Sequence, residues 1–413
     1  MDRCAYVAIE GFSLVHKDVD MACRMTSSHH CRFTRNHVRL DEIIATERLE
    51  RRLHWLGIDG DNSHHNRVDH NLFEEKNNSG VMICTGGSEV DTGNMATQYD
   101  RIDHNHFRNF HQGMGNGYET IRLGSGAYSH SSSFTMVEWN LFESCNGEGE
   151  IVSVKCNDNT LRQNTFRDCY GMLTLRNCHR CVVDGNFFFN DGGQEGSAGI
   201  RFFGQGHVII NNYLQDLNES AIMIRTGDIE TRTQPQWRYL ERDGDASKFG
   251  AYQRPQDAII AFNTIVNCSV AFDLGEEGER AKKYPLPARN ITVANNLVIS
   301  DREKINWDKG MWENFTIEGN LFYSSHNDQE LGWELPEGSY RIANPGLVKR
   351  DDFMQLTPHS SAVNAAVGKY PGVDEDIQGQ SRGKKKDVGA DELSSAAIRY
   401  VPLTSKDVGP DAI

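Results

Sequence analysis

Glu148 and Glu150 stand one residue apart, Lys155 follows five positions later, and Arg176 lies roughly two dozen residues further on. On a strand, residues i and i+2 share a face, so the two carboxylates repel unless a cation sits between them. A hard cation with oxygen ligands relieves that repulsion, and Asn116 can add an amide oxygen from a neighbouring segment, which predicts calcium. A lone strand with this pattern more often turns both glutamates to solvent. Lys155 and Arg176, taken singly, read as solvated surface charges. Chemistry therefore depends on whether the fold gathers these residues on one patch.

The elements that would gather them are repeats. A short phrase of alternating apolar residues, an Asn, and an apolar or aromatic residue two places on recurs at Asn71, Asn105, Asn140, Asn164, Asn186, Asn212, Asn263, Asn296 and Asn320, with an earlier copy at Asn36. The shortest steps, Asn140 to Asn164 and Asn164 to Asn186, are too short for a globular domain, and longer steps read as one turn plus an insertion. Such units cannot bury an apolar face alone and must stack, as in an all-β, single-stranded right-handed parallel β-helix. Stacked Asn side chains can hydrogen-bond up the rod, which makes the Asn set scaffold. Cys145, Cys169 and Cys268 each follow a repeat Asn by five residues and read as stacked core thiols, as do Cys178 and Cys181, whose lone CxxC is a poor zinc signal. In a stacked rod, residues one turn apart lie roughly 5 Å apart. Asn116, Glu148, Glu150, Lys155 and Arg176 can then converge.

The net charge of −15, from 43 Lys and Arg against 58 Asp and Glu, argues against a nucleic-acid partner. An anionic polymer would need a local basic groove. No stretch reaches the ~20 apolar residues of a membrane span. Alternating residues from Tyr6 to Leu14 read as a strand already inside a fold, and no signal peptide is legible. Either the protein is cytoplasmic or its true beginning lies upstream, and a form with upstream turns is expected to be more stable, because an opened β-helix exposes its interior. We assign 1–325 to the β-helix and 326–413 to an irregular segment packed along it. Insertions carry function in such rods. The longest separates Asn212 from Asn263, and Asp41 to Asp61 reads as a short helix.

The segments Asn116-Gly-Tyr-Glu-Thr-Ile-Arg122, Gly147-Glu-Gly-Glu-Ile-Val-Ser-Val-Lys155 and Leu173-Thr-Leu-Arg176, with the repeated Asn turns and the tail from Asp376 to Glu392, resemble polysaccharide lyase family 6. This group contains alginate lyases and chondroitinase B, and the resemblance covers nearly the whole chain. It implies Asn116, Glu148 and Glu150 as calcium ligands, Lys155 as Brønsted base, Arg176 as catalytic arginine and Arg122 as a substrate contact. This chain has Asn177 where the family often has His after that arginine. Secretion or a periplasmic location is likewise implied.

The chemistry is coherent by itself. Calcium on a uronate carboxylate would let an enolate-like intermediate form, neutral Lys155 would take the C5 proton, and the O4 bond would break by β-elimination. Calcium and Arg176 nearby would favour the neutral amine. Arg201, His207 and Arg225, one and two turns further along, fit a line of cations for successive sugar carboxylates, although each alone reads as solvent-facing. Tyr118, Trp237 and Tyr252 read equally as sugar platforms or as packing. Alginate is the expected substrate, dermatan sulfate the alternative. A non-catalytic glycan-binding rod would need neither the lysine nor the cation, and a hydrolase would need opposed carboxylates.

Overall fold

A computed structural model describes residues 1–413 apart from 17–20, 22, 41–52, 89–94, 114, 232–249, 327–329, 351, 371 and 413. Each turn of the chain lays one short strand in each of three parallel sheets, as Met136–Glu138, Leu141–Cys145 and Glu150–Lys155 do in one turn. Within each sheet the strands follow one another in chain order, and the fold is the expected parallel β-helix. Among the described residues the α-helical element is one short helix, Gly278–Lys283.

The repeated phrase has a direct structural cause. The residue before each ladder Asn adopts a left-handed conformation, as at His104 (φ 53°), Trp139 (φ 51°) and Gln163 (φ 53°), which bends the chain sharply between two sheets. That bend turns the following Asn inward. Each Asn Nδ2 then donates to the Oδ1 of its counterpart one turn on, at 3.1 Å from Asn36 to Asn71, 3.0 Å from Asn140 to Asn164, and 3.0 Å from Asn296 to Asn320. Two residues further, Phe73, Phe107, Phe142, Phe166 and Phe188 stack with centroids 5.2, 5.0, 4.5 and 4.5 Å apart. The polar ladder satisfies the buried bend and the aromatic stack fills the interior beside it. Cys145, Cys169 and Cys268 are buried, and all ten cysteines are free thiols.

A second polar ladder, absent from the sequence reading, lines the bend that leads into the first sheet. Side chains of Asn66, Asp100, Asn159 and His207 accept the backbone N–H of Cys31, Asn66, Thr135 and Cys181, at 3.1, 2.8, 2.9 and 3.1 Å. Here an acceptor of any kind serves, so the sequence shows no single recurring letter.

Parallel pairing continues through Tyr340–Ile342, beyond position 325. The tail then returns along the rod: Ala390 N–H donates to Thr264, Leu403 N–H to Thr165 and Gly409 N–H to the His104 carbonyl, while Arg35 bonds the carbonyls of Pro410 and Ala412. Fully buried Arg382 anchors it, donating to Asn211 (2.9 Å) and to the Gly389 and Ala390 carbonyls (2.8 and 3.0 Å), and pairing with Glu392 (3.2 Å). Most of the expected helix between 41 and 61 lies outside the described residues, as does Trp237. Its last part, Leu56–Asp59, is instead a strand, because Leu56 and Ile58 alternate into the core.

Candidate active site

One sheet carries the site on its outer surface. Its register sets Arg122 beside Ser153, Ser153 beside Thr174, and Thr174 beside Arg201, while Lys155 lies beside Gly124. Arg176 follows Leu175, which pairs with Val154, so Lys155 and Arg176 occupy adjacent turns. Regular alternation would send Glu150 inward with Val152 and Val154, both fully buried. A register irregularity between Glu150 and Val152 breaks that alternation and re-aims the glutamate outward, toward Lys155 and the arginines.

Glu119, Glu148 and Glu150 are all buried, and each offers an oxygen within 4.8 Å of the others. Glu148 Oε2 accepts the N–H groups of Gly117 (2.6 Å) and Tyr118 (3.2 Å). Burial, then the charges of Glu119 and Glu150, push its carboxyl up to about 7 despite those bonds. Glu150 also feels burial, but Arg176 and Arg201 overcome it and hold its carboxyl below the ordinary range. Its Oε1 accepts from Arg201 (2.6 Å) and Arg176 (3.2 Å), and its Oε2 from Ser153 Oγ (2.5 Å). Glu119 Oε1 pairs with Lys155 Nζ at 3.2 Å. Its Oε2 is buried with no hydrogen-bond partner among the described residues. A buried carboxylate oxygen without a donor, beside two further carboxylates, has the chemistry of a hard-cation cage.

Glu148, Glu150, Arg176 and Arg201 border a cavity of about 390 Å³ that Asn116, Tyr170 and Met172 also line. Asn116 is exposed at its rim. The Arg176 guanidinium lies 4.8 Å from the Tyr252 ring centroid, and Asn177 Nδ2 donates to the Ala251 carbonyl at 2.7 Å. Asn177 thereby ties down the segment whose tyrosine supports Arg176. Among the described residues the buried Nε atoms of Arg122, Arg176 and Arg201 have no hydrogen-bond partner.

Two residues fall elsewhere and a third is engaged by carboxylates. His207 is fully buried in the second ladder, with Nδ1 accepting from Cys181 N–H and Nε2 donating to the Phe203 carbonyl (2.8 Å), so it does not reach the groove. The Tyr118 ring packs in the core against Phe110, and only its backbone serves the site. Arg225 reaches the expected face but is engaged by Asp273 (2.9 Å) and Glu276 (3.7 Å). Glu119 was missed. Ile121 pairs with Val152, which sets Glu119 one turn from Glu150, and that offset depends on the lengths of intervening loops.

The family described as chondroitinase B matches residues 8–374. No curated protein matches the chain. Among solved structures, a mannuronic acid specific polysaccharide family 6 lyase from human gut microbiota is 26% identical with a TM-score of 0.68, over 82% of this chain and 74% of that one. The PL6 family alginate lyase AlyGC gives 23% identity and a TM-score of 0.69, over 97% of this chain and 50% of that one, so this chain spans about half its length. The PL6 family polysaccharide lyase Pedsa3628 from Pseudopedobacter saltans gives 18% and 0.61, over 99% and 84%, a likeness of fold. With its stacked turns and a family match across most of its length, the chain belongs to polysaccharide lyase family 6, the chondroitinase B family, and is a polysaccharide lyase.

Proposed function

We propose that the chain cleaves alginate by β-elimination, with Lys155 as base and Arg176 as the group that steadies negative charge. The observation that carries this is the meeting of an amine, two guanidiniums and three buried carboxylates on one ledge, where Lys155 is 3.2 Å from Glu119 and Arg176 is 3.2 Å from Glu150. The 26% identity to a mannuronic acid specific relative supports alginate over other uronates. The family's printed name, chondroitinase B, favours dermatan sulfate as the second reading.

Asn116, Glu119, Glu148 and Glu150 would hold a calcium ion, and the orphaned Glu119 oxygen with the strained Glu148 carboxyl fits that group. Bound there, such an ion would neutralise the substrate carboxylate and acidify the neighbouring C5 proton. Lys155 takes that proton from the sugar face lying on the ledge, the C4=C5 bond forms as C4–O4 breaks, and water supplies a proton to the departing O4. Arg176, held by Glu150 and backed by Tyr252, donates to the oxygen where charge accumulates. Arg122 and Arg201, on the same sheet face, orient flanking carboxylates through their guanidinium charge. No helix among the described residues is long and apolar enough to cross a membrane. An extracellular or periplasmic setting suits a polymeric substrate.

The test follows ultraviolet absorbance of the new double bond with alginate and, separately, dermatan sulfate, with and without chelator. Lys155→Ala should abolish the signal at unchanged circular dichroism, chelator should suppress it and calcium restore it. Full turnover by the alanine variant would refute the assignment of the base.

A further inference from the structure

A second group of chemistry-bearing side chains lies on a different bend, in the N-terminal turns. His29-His30 and His64-His65 occupy equivalent positions one turn apart, with His29 bridged to His64 in parallel register. In an extended strand neighbouring side chains point to opposite faces. His30 (φ 55°) and His65 (φ 54°) are left-handed, which cancels that alternation and turns successive rings toward each other. The Nδ1 atoms meet at 3.1 Å in the first pair and 2.8 Å in the second. His29 stacks on His64 at 4.9 Å and His30 on His65 at 5.0 Å, with nearly parallel rings in both cases. Tyr6 and Tyr99 close the stack at 5.0 and 4.9 Å. His30 and His65 are exposed, and the other two are half-buried.

Two ring nitrogens cannot share such a contact with both lone pairs facing; a proton or a cation must lie between them. At metal–nitrogen lengths of about 2.0–2.1 Å, separations of 2.8 and 3.1 Å subtend roughly 85–100° at the ion, the angle between adjacent ligands in square-planar or octahedral geometry. Imidazole ligands with that angle select copper(II) or nickel(II) ahead of tetrahedral zinc, and do not suit calcium. We propose that His29-His30 and His64-His65 are two transition-metal chelates separate from the carboxylate cage, each pair within its own turn holding a copper(II)- or nickel(II)-class ion between its two Nδ1 atoms. Among the described residues, a second nitrogen- and sulfur-bearing group, Cys178, Cys181 and His207, is sealed in the core, and both imidazole nitrogens of His207 are already spent on backbone groups.

The experiment titrates copper(II) into tag-free, calcium-loaded protein, reading affinity by calorimetry and ligands by electron paramagnetic resonance. Two equivalents should bind with nitrogen superhyperfine splitting and raise the melting temperature. His64→Gln/His65→Gln removes one pair and should lose one equivalent, and Cys178→Ser/Cys181→Ser should leave stoichiometry and splitting unchanged. His30→Gln/His65→Gln alters only the exposed rings, breaks both pairs, and should lose at least about tenfold in affinity together with the splitting. Equal affinity and spectra in wild type and both histidine variants, absence of stoichiometric binding, or loss only in the cysteine variant would each overturn the proposal.

Discussion

Asp100 is an ionisable residue in a ladder that asks only for an acceptor, and Asp100→Asn isolates the cost of its charge. Its Oδ1 takes the Asn66 N–H at 2.8 Å, while its Oδ2 is buried with no hydrogen-bond partner among the described residues. Burial raises the carboxyl from 3.8 to about 6. A folded-state pKa above the unfolded one means that the native state binds the proton more tightly, so ionisation opposes folding. At 1.36 kcal/mol per unit the penalty is about 3 kcal/mol above pH ~6, shrinking as pH falls and absent below pH ~4. An asparagine there keeps the acceptor and gains donors, as Asn66 and Asn159 use theirs on the carbonyls of Ser28 (2.9 Å) and Cys156 (2.7 Å). Urea unfolding followed by tryptophan fluorescence at pH 8, 6 and 4.5 should show the variant more stable by about that amount at pH 8, with the gap closing toward pH 4. A gap constant across this range, or a variant weaker at pH 8, would refute the argument.

Asn164→Ala should cost roughly 3 kcal/mol or more in the same assay, because it strips partners from Asn140, Asn186 and the Val137 carbonyl at a fully enclosed bend. Glu119→Gln should lower kcat and raise the calcium concentration needed for half-maximal absorbance change, since one carboxylate serves both Lys155 and the cage. Asn177→Ala should reduce kcat/KM while Lys155 stays in place, by releasing the segment that holds Tyr252 against Arg176.

The rod was legible because one bend uses one letter: the Asn ladder and the Phe stack repeat with the fold itself. Glu148, Glu150, Lys155 and Arg176 were legible as chemistry-bearing residues, but their convergence could not come from strand alternation alone, since Glu150 depends on a register irregularity. Glu119 and His207 illustrate the limit. Which residues face each other across turns depends on loop lengths that change from repeat to repeat, so Glu119 could not be aligned with Glu150. His207 looked like a groove residue because it follows a basic strand, yet the second ladder accepts several residue types and drew it inside.

Solenoids usually behave as one-dimensional chains of nearest neighbours, able to fray from either end. The returning tail changes that connectivity here, because Arg35 in an early turn is fastened to the carbonyls of Pro410 and Ala412, 375 and 377 residues later. Early turns made during synthesis must wait for residues 410–412 before their outer seam is closed. Loss of those residues should therefore loosen turns laid down long before them, and unfolding should become a more collective event than stacked repeats alone would give.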